Sequence, residues 1–202
     1  MSVSGHRYFV LNKPYNMVSQ FVSSHAVPLL SELDFPFPEG THAIGRLDGN
    51  SEGMLLLTTN KKVTRLLFQG EVPHKRTYLV KVAHAVQPET VELLRKGIPI
   101  SASDGGWYTT APCEVDIVPE PADLFHHAFE TPDFIPHTWL RISLTEGRYH
   151  QVRKMVAAVR HKCKRLIRTE IEDLTLGSLQ PGEVQEWDEM LFFERLKIAN
   201  WQ

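Results

Sequence analysis

The stretch from Gly45 to Thr58 (GRLDGNSEGMLLLT) constrains the fold of this chain more than any other. A charged turn runs directly into a short apolar run, Met54 to Leu57. A bounded run of that length suits a buried strand, although periodicity alone also allows a helix. Glycines at 45, 49 and 53 let the backbone turn sharply just before it is buried. That geometry puts Arg46 and Asp48 at the rim of a core with little freedom to move. Taken alone, the stretch is an ordinary polar turn with a solvated Arg46–Asp48 pair.

At 202 residues the chain can bury a sizeable core, as one larger domain or two small ones. Its 42% hydrophobic and 23% charged content is that of a soluble globular protein. No apolar segment approaches the length of a membrane span, and Met1 to Tyr8 lacks a signal-peptide apolar region, so a cytoplasmic location is expected. Cys113 and Cys163 are far apart and form no CxxC pattern, which argues against a disulfide framework or a zinc site. The histidines include one adjacent pair, His126-His127, and no HExxH, so no metal is expected. The net charge of −2 hides a segregation. Arg148, Arg153, Lys154, Arg160, Lys162, Lys164, Arg165 and Arg168 crowd a segment whose single acid is Glu146, while the remainder of the C-terminal part is acidic. Such local asymmetry makes an anion-binding surface.

In chain order, His6 to Asn12 is β-prone and stops at Lys13-Pro14. Residues 16 to 40 look irregular, being too rich in proline for a helix at Phe35 to Pro38. After the Met54–Thr58 strand, Thr59 or Asn60 can cap a helix running to about Phe68 and closed by Gln69-Gly70. Lys75 to Tyr78 leads into a strand, Leu79 to Val82. Pro88 to Lys96 reads as a helix with Gly97 beyond its end. Cys113 to Val118 reads as a strand, residues 119 to 137 as a surface excursion, and Trp139 to Leu144 as a half-buried strand with Leu140, Ile142 and Leu144 on one face. Val152, Met155, Val156 and Val159 follow helical spacing. At 100° per residue Arg153 and Arg160 lie beside that stripe and Lys154 lies opposite, in water. The acidic C-terminal part, with Met190 to Phe193, is expected to complete a sheet.

Five stretches, in order, resemble the motifs of RNA pseudouridine synthases, the RsuA-type family that modifies ribosomal RNA. Leu11-Asn12-Lys13-Pro14-Tyr15 resembles the opening strand, which ends in Asn-Lys-Pro. Gly45-Arg46-Leu47-Asp48 resembles the catalytic signature, whose aspartate is essential, and Lys75-Arg76-Thr77-Tyr78 resembles the element whose tyrosine lies against the target uracil. Glu146 to Met155 resembles Glu-Gly-Arg-x-x-Gln-Val-Arg-x-Met, and Arg165-Leu166-Ile167-Arg168 the closing Leu-x-Arg element. Where the family usually has a glycine beyond that element, this chain has Glu172.

The resemblance implies an α+β fold, a mixed or antiparallel sheet with flanking helices and a central catalytic cleft. It implies one catalytic domain over 1–202, two half-domains sharing a sheet, without the small RNA-binding S4 domain that many relatives carry first. It gives Asp48 the role of nucleophile or charge stabiliser at C1′, Tyr78 that of platform and possible proton carrier, and Arg153 that of the cation keeping Asp48 ionised. Leu166 is the apolar wall, and Arg46 fills the gap left by a flipped uridine or holds a phosphate. Arg148, Lys154, Arg160, Lys164, Arg165 and Arg168 are expected to bind phosphates.

The isomerisation breaks N1–C1′, turns the base and rejoins it through C5, with no net redox change, so neither cofactor nor metal is expected. The short start and the Trp139-Leu140 strand resemble the branch acting on large-subunit ribosomal RNA, which makes that RNA the expected partner of a monomer. Small-subunit or transfer RNA, an inactive RNA-binding assembly factor, and a glycosidase are the alternatives. The intact Asp48, Tyr78 and Arg153 argue against the binder, and the lack of paired carboxylates against the glycosidase.

Overall fold

The computed structural model describes residues 5–68, 72–125, 135–199 and 201. The chain divides into two compact units, one of Met1–His74 with Arg168–Gln202 and the other of Lys75–Ile167.

In the first unit, β1 (Tyr8–Lys13) lies between two antiparallel partners, β3 (Glu52–Thr58) and a late strand, Val184–Trp187. A short β2 (His42–Ala43) pairs with β3. Every residue of β1 and β3 is buried, which is why Met54 to Leu57 is continuously apolar instead of alternating. Phe9 and Leu11 stand opposite Leu57 and Leu55 in the register and pack with Met17, Leu30 and Leu47. Tyr8 points to the other face, its ring 4.8 Å from Phe192 and 5.3 Å from Phe193. Residues 14 to 41 are irregular except for a single 3-10 turn, Leu30–Glu32, as the prolines require. Helix α1 (Val63–Phe68) follows Asn60, whose Oδ1 accepts from Lys62 N at 3.0 Å. The expected stop at Gln69-Gly70 lies outside the described residues.

In the second unit, β8 (His137–Leu144) is flanked by β4 (Arg76–Ala83) and β7 (Glu114–Val118), all antiparallel. Helix α2 (Pro88–Lys96) has its proline in the first turn and ends at Gly97, φ 92°. A Cβ on Gly97 would lie 2.2 Å from Thr110 O, so glycine is required there. Val91 and Leu94 of α2 join Val80, Val82, Leu140 and Ile142 in a core closed by α3 (Gln151–Ala158) through Val152, Met155 and Val156. A hairpin of β5 (Pro99–Ser101) and β6 (Trp107–Thr109) was not legible in the sequence. Its turn holds Asp104-Gly105-Gly106, with Gly105 at φ 87°, a turn signal flanked by strands too short to pattern.

Strand β9 (Cys163–Ile171) begins in the second unit, where Ala83 N donates to Lys162 O at 2.9 Å, and ends in the first. There it forms a hairpin with β10 (Leu174–Thr175). The connecting Glu172 has φ 50°, the left-handed conformation a glycine would take freely.

Two expectations need correction. Met190 to Phe193 do not belong to a sheet. They lie in α4 (Glu189–Arg195), because Asp188 caps that segment by accepting from Met190 N and Leu191 N, while Phe192, Phe193 and Leu196 bury one face. The strand of this region is the preceding one, β11 (Val184–Trp187). Helix α3 stops at Ala158, so Arg160 (φ 66°) lies past its end and not beside its apolar stripe. The architecture is α+β, as expected.

Candidate active site

Asp48 sits in the turn before β3, where Ser51 N donates to its carbonyl at 3.0 Å. Both neighbours of Asp48 are fastened. Ser19 Oγ donates to Leu47 O at 2.8 Å and accepts from Leu47 N at 3.0 Å, while the Leu47 side chain enters the core. Lys13 Nζ donates to Gly49 O at 3.3 Å, and also to Met17 O at 2.6 Å and Pro14 O at 2.8 Å. The ammonium is fully buried, and burial pushes its pKa down to about 7. Glu52 and Asp48 pull it back up and Arg168 lowers it further. The approach to the turn is equally tight. Ile44 N donates to Leu56 O at 2.8 Å, and a Cβ on Gly45 (φ 72°) would lie 2.6 Å from the Phe68 ring. Gly53 also has positive φ, whereas Gly49 does not, so Gly49 is not needed for left-handed backbone. Arg46 is exposed and Asp48 half-buried at the rim, as the sequence implied.

The second unit carries the other assigned residues. Tyr78 lies on β4 opposite Ile142 and is half-buried against the core that includes Leu166, itself 4% exposed. Arg153 projects from α3, its Nη1 3.6 Å from Cys163 Sγ. Cys163 packs on the same core as Tyr78 and Leu166. Burial raises the Cys163 thiol pKa, and the Arg153 charge opposes that rise.

The segment before α3 explains why the motif needs its glutamate and glutamine. Glu146 accepts from the Tyr108 hydroxyl, from Ala111 N at 2.9 Å and from Gln151 Nε2 at 2.6 Å. Gln151 Oε1 in turn accepts from Arg148 N at 2.9 Å. His150, at φ 55°, then opens the helix. A Cβ on Gly147 would lie 2.6 Å from Arg76 Nη1. Glu146 and Gln151 therefore shape the loop, and sequence reading had given neither a role.

The phosphate-binding set divides. Arg148 and Arg160 are exposed and Lys164 is half-buried. Lys154 is not free in water: its Nζ donates to Ser101 O at 2.7 Å, because the unanticipated hairpin packs beside α3. Arg165 Nη2 donates to Phe125 O at 2.9 Å. Arg168 is 3% exposed and its Nε donates to Met54 O at 2.8 Å. A guanidinium so placed holds a strand and does not meet solvent phosphate, so Arg168 leaves the set. Among the described residues no cluster of three or more His, Cys, Asp or Glu could hold a metal ion, and no helix is long and apolar enough to cross a membrane.

An α+β frame presenting an aspartate from a clamped Gly-Arg-Leu-Asp turn is the arrangement that the resemblance to RNA-modifying isomerases implied. Residues 7–158 match the RNA pseudouridylate synthase family. The chain belongs to that family, whose members convert uridine to pseudouridine in RNA. It is 34% identical over 187 residues to ribosomal large subunit pseudouridine synthase E of Vibrio parahaemolyticus, covering 92% of this chain and 76% of that protein. It is 32% identical over 180 residues to ribosomal small subunit pseudouridine synthase A of Escherichia coli, covering 89% and 69%. A crystal structure of a pseudouridylate synthase superposes with a TM-score of 0.74 at 28% identity, over 96% of this chain and 75% of that one.

Proposed function

We propose that this protein isomerises a uridine of large-subunit ribosomal RNA, acting as a cytoplasmic monomer, with Asp48, Tyr78 and Arg153 as its catalytic residues. Asp48 provides the ionised carboxylate at C1′ when the N1–C1′ bond breaks, either as nucleophile or as counter-charge to the sugar. Tyr78 is the platform on which the freed uracil turns, with transfer of the C5 proton as its second role. Arg153 is the cation assigned to the carboxylate's charge, and Leu166 the apolar wall. Arg46, exposed beside Asp48, is assigned to the RNA once the uridine has flipped out.

The observation that carries the catalytic reading is the fastening of Leu47 and Gly49 on either side of Asp48. A reacting carboxylate needs its backbone held within a fraction of an ångström, and a solvated surface aspartate does not. The choice of RNA is supported by the identity to large-subunit synthases, with the small-subunit enzymes as the second reading.

Pseudouridines are mapped in both ribosomal RNAs from cells with and without the protein, and again after complementation by Asp48→Asn or Glu52→Gln. The expected result is one missing large-subunit pseudouridine, restored by Glu52→Gln and not by Asp48→Asn. Purified Asp48→Asn still binds RNA, since affinity comes mainly from phosphate contacts. Restoration by Asp48→Asn refutes the catalytic assignment, and a missing small-subunit site moves the target.

A further inference from the structure

We propose that the β5–β6 hairpin and the start of α3 form a stacking platform for single-stranded RNA, with bases on Trp107 and Tyr149 and phosphates on Arg148 and Lys154. The proposal rests on the reading above only in taking RNA as substrate, and holds whichever RNA is modified.

Trp107 is 78% exposed and Tyr149 is 66% exposed. Neither belongs to the core of its unit. They are joined by an unbroken series of contacts. Trp107 stands opposite Ser101 across the hairpin, Ser101 O accepts from Lys154 Nζ at 2.7 Å, and that Nζ lies 5.4 Å from the centre of the Tyr149 ring. Tyr149 itself stacks on His150 at 3.9 Å and 17°. On the other face of β6, Tyr108 carries the Arg148 guanidinium 4.2 Å above its ring and gives its hydroxyl to Glu146. The Tyr149 and Tyr108 rings and both cations are thus held by contacts within the protein before any ligand arrives.

The chemistry favours nucleic acid over a protein partner. A protein interface needs a contiguous apolar centre, yet Trp107 pairs with Ser101 across the hairpin, and the turn before it is Ala102-Ser103-Asp104-Gly105-Gly106. Isolated exposed rings interleaved with cations are what unpaired bases use, because every base has a stacking face and a phosphate next to it. Two acids lie in these segments, and both are engaged by donors of the protein. Asp104 accepts from Gly106 N at 3.0 Å, and Glu146 is engaged by three donors.

The test measures the full-length protein's affinity for labelled single-stranded oligoadenylate and for a perfect RNA duplex, in Trp107→Ala, Trp107→Phe, Trp107→Leu and Tyr149→Ala. Both side chains are on the surface, so the variants fold, which thermal denaturation checks. Each alanine variant is expected to bind the single strand roughly tenfold more weakly, in line with the loss of one stacked base. Duplex affinity changes much less, and Trp107→Phe recovers most of the single-strand loss while Trp107→Leu does not. Because oligoadenylate contains no uridine, a wrong target RNA does not affect this readout. Unchanged single-strand affinity in both alanine variants overturns the proposal. So does Trp107→Leu binding as well as wild type, which marks a plain apolar contact for a protein. Sedimentation showing self-association that Trp107→Ala abolishes would make the patch a seat for a second copy instead.

Discussion

Ser19 holds Leu47 through both of its backbone polar groups, donating to the carbonyl at 2.8 Å and accepting from the amide at 3.0 Å. One small hydroxyl thus sets the backbone from which Asp48 projects. The clamp on Leu47, beside Asp48, does for this turn what a strand ladder does elsewhere.

Ser19→Ala is expected to cost about 1–3 kcal/mol of stability, because a buried donor and acceptor lose their partner. Its larger effect is on chemistry. A loop shift of about an ångström can cost on the order of a hundredfold in rate, so kcat falls while RNA affinity is largely retained. Single-turnover rates and equilibrium binding on the same RNA separate the two. An equal fall in both would place Ser19 in RNA binding.

Lys13 gives a pH signature. Its folded pKa is pushed down to about 7 by burial, whereas an unfolded lysine titrates at about 10.4. Between those values the unfolded chain binds more protons than the folded one. The Lys13 contribution to stability therefore grows as pH rises across that window and is smallest below it. Lys13→Met removes this dependence. Urea midpoints are expected to shift in favour of wild type, relative to the variant, on going from about pH 7 to about pH 9. A constant difference would show that the three carbonyls keep the ammonium charged throughout.

Arg168 and Arg160 separate strand-holding from RNA-holding. Arg168→Met is expected to lose about 2–3 kcal/mol of stability and to leave the salt dependence of RNA binding alone. Exposed Arg160→Gln is expected to leave stability alone and to reduce the salt slope by about one unit. Thermal denaturation and affinities over a salt series decide it. A flattened slope in a well-folded Arg168→Met would return Arg168 to the phosphate set.

Glu172 tests the cost of the left-handed turn. Its carboxylate lies 3.5 Å from His74 Nδ1 and 3.3 Å from Lys197 Nζ. Glu172→Ala loses those contacts and keeps the strained backbone, whereas Glu172→Gly loses them and relieves it. The glycine variant is expected to be the more stable of the two by about 1 kcal/mol. The reverse order in urea melts would mean that the turn changes conformation once Glu172 is gone.

What the sequence alone determined about this protein is whatever rests on neighbours a few residues apart. The apolar run at Met54 to Leu57, the proline and glycine bracketing α2, and the Val152–Met155–Val156 stripe each specify an element locally. The motif order then marked Asp48, Tyr78 and Arg153. The tertiary structure alone decided which partners these residues and their neighbours meet. Ser19 finds Leu47 across 28 residues, Lys154 finds Ser101 across 53, and Arg168 finds Met54 across 114. Asp188 turned a supposed strand into α4 by capping it, a choice made at one residue and then fixed by burial of Phe192 and Phe193 against Tyr8. Periodicity reports which side of an element is apolar. It carries no information on which distant carbonyl a buried donor must reach, and that requirement, more than the pattern, holds the Asp48 turn in place.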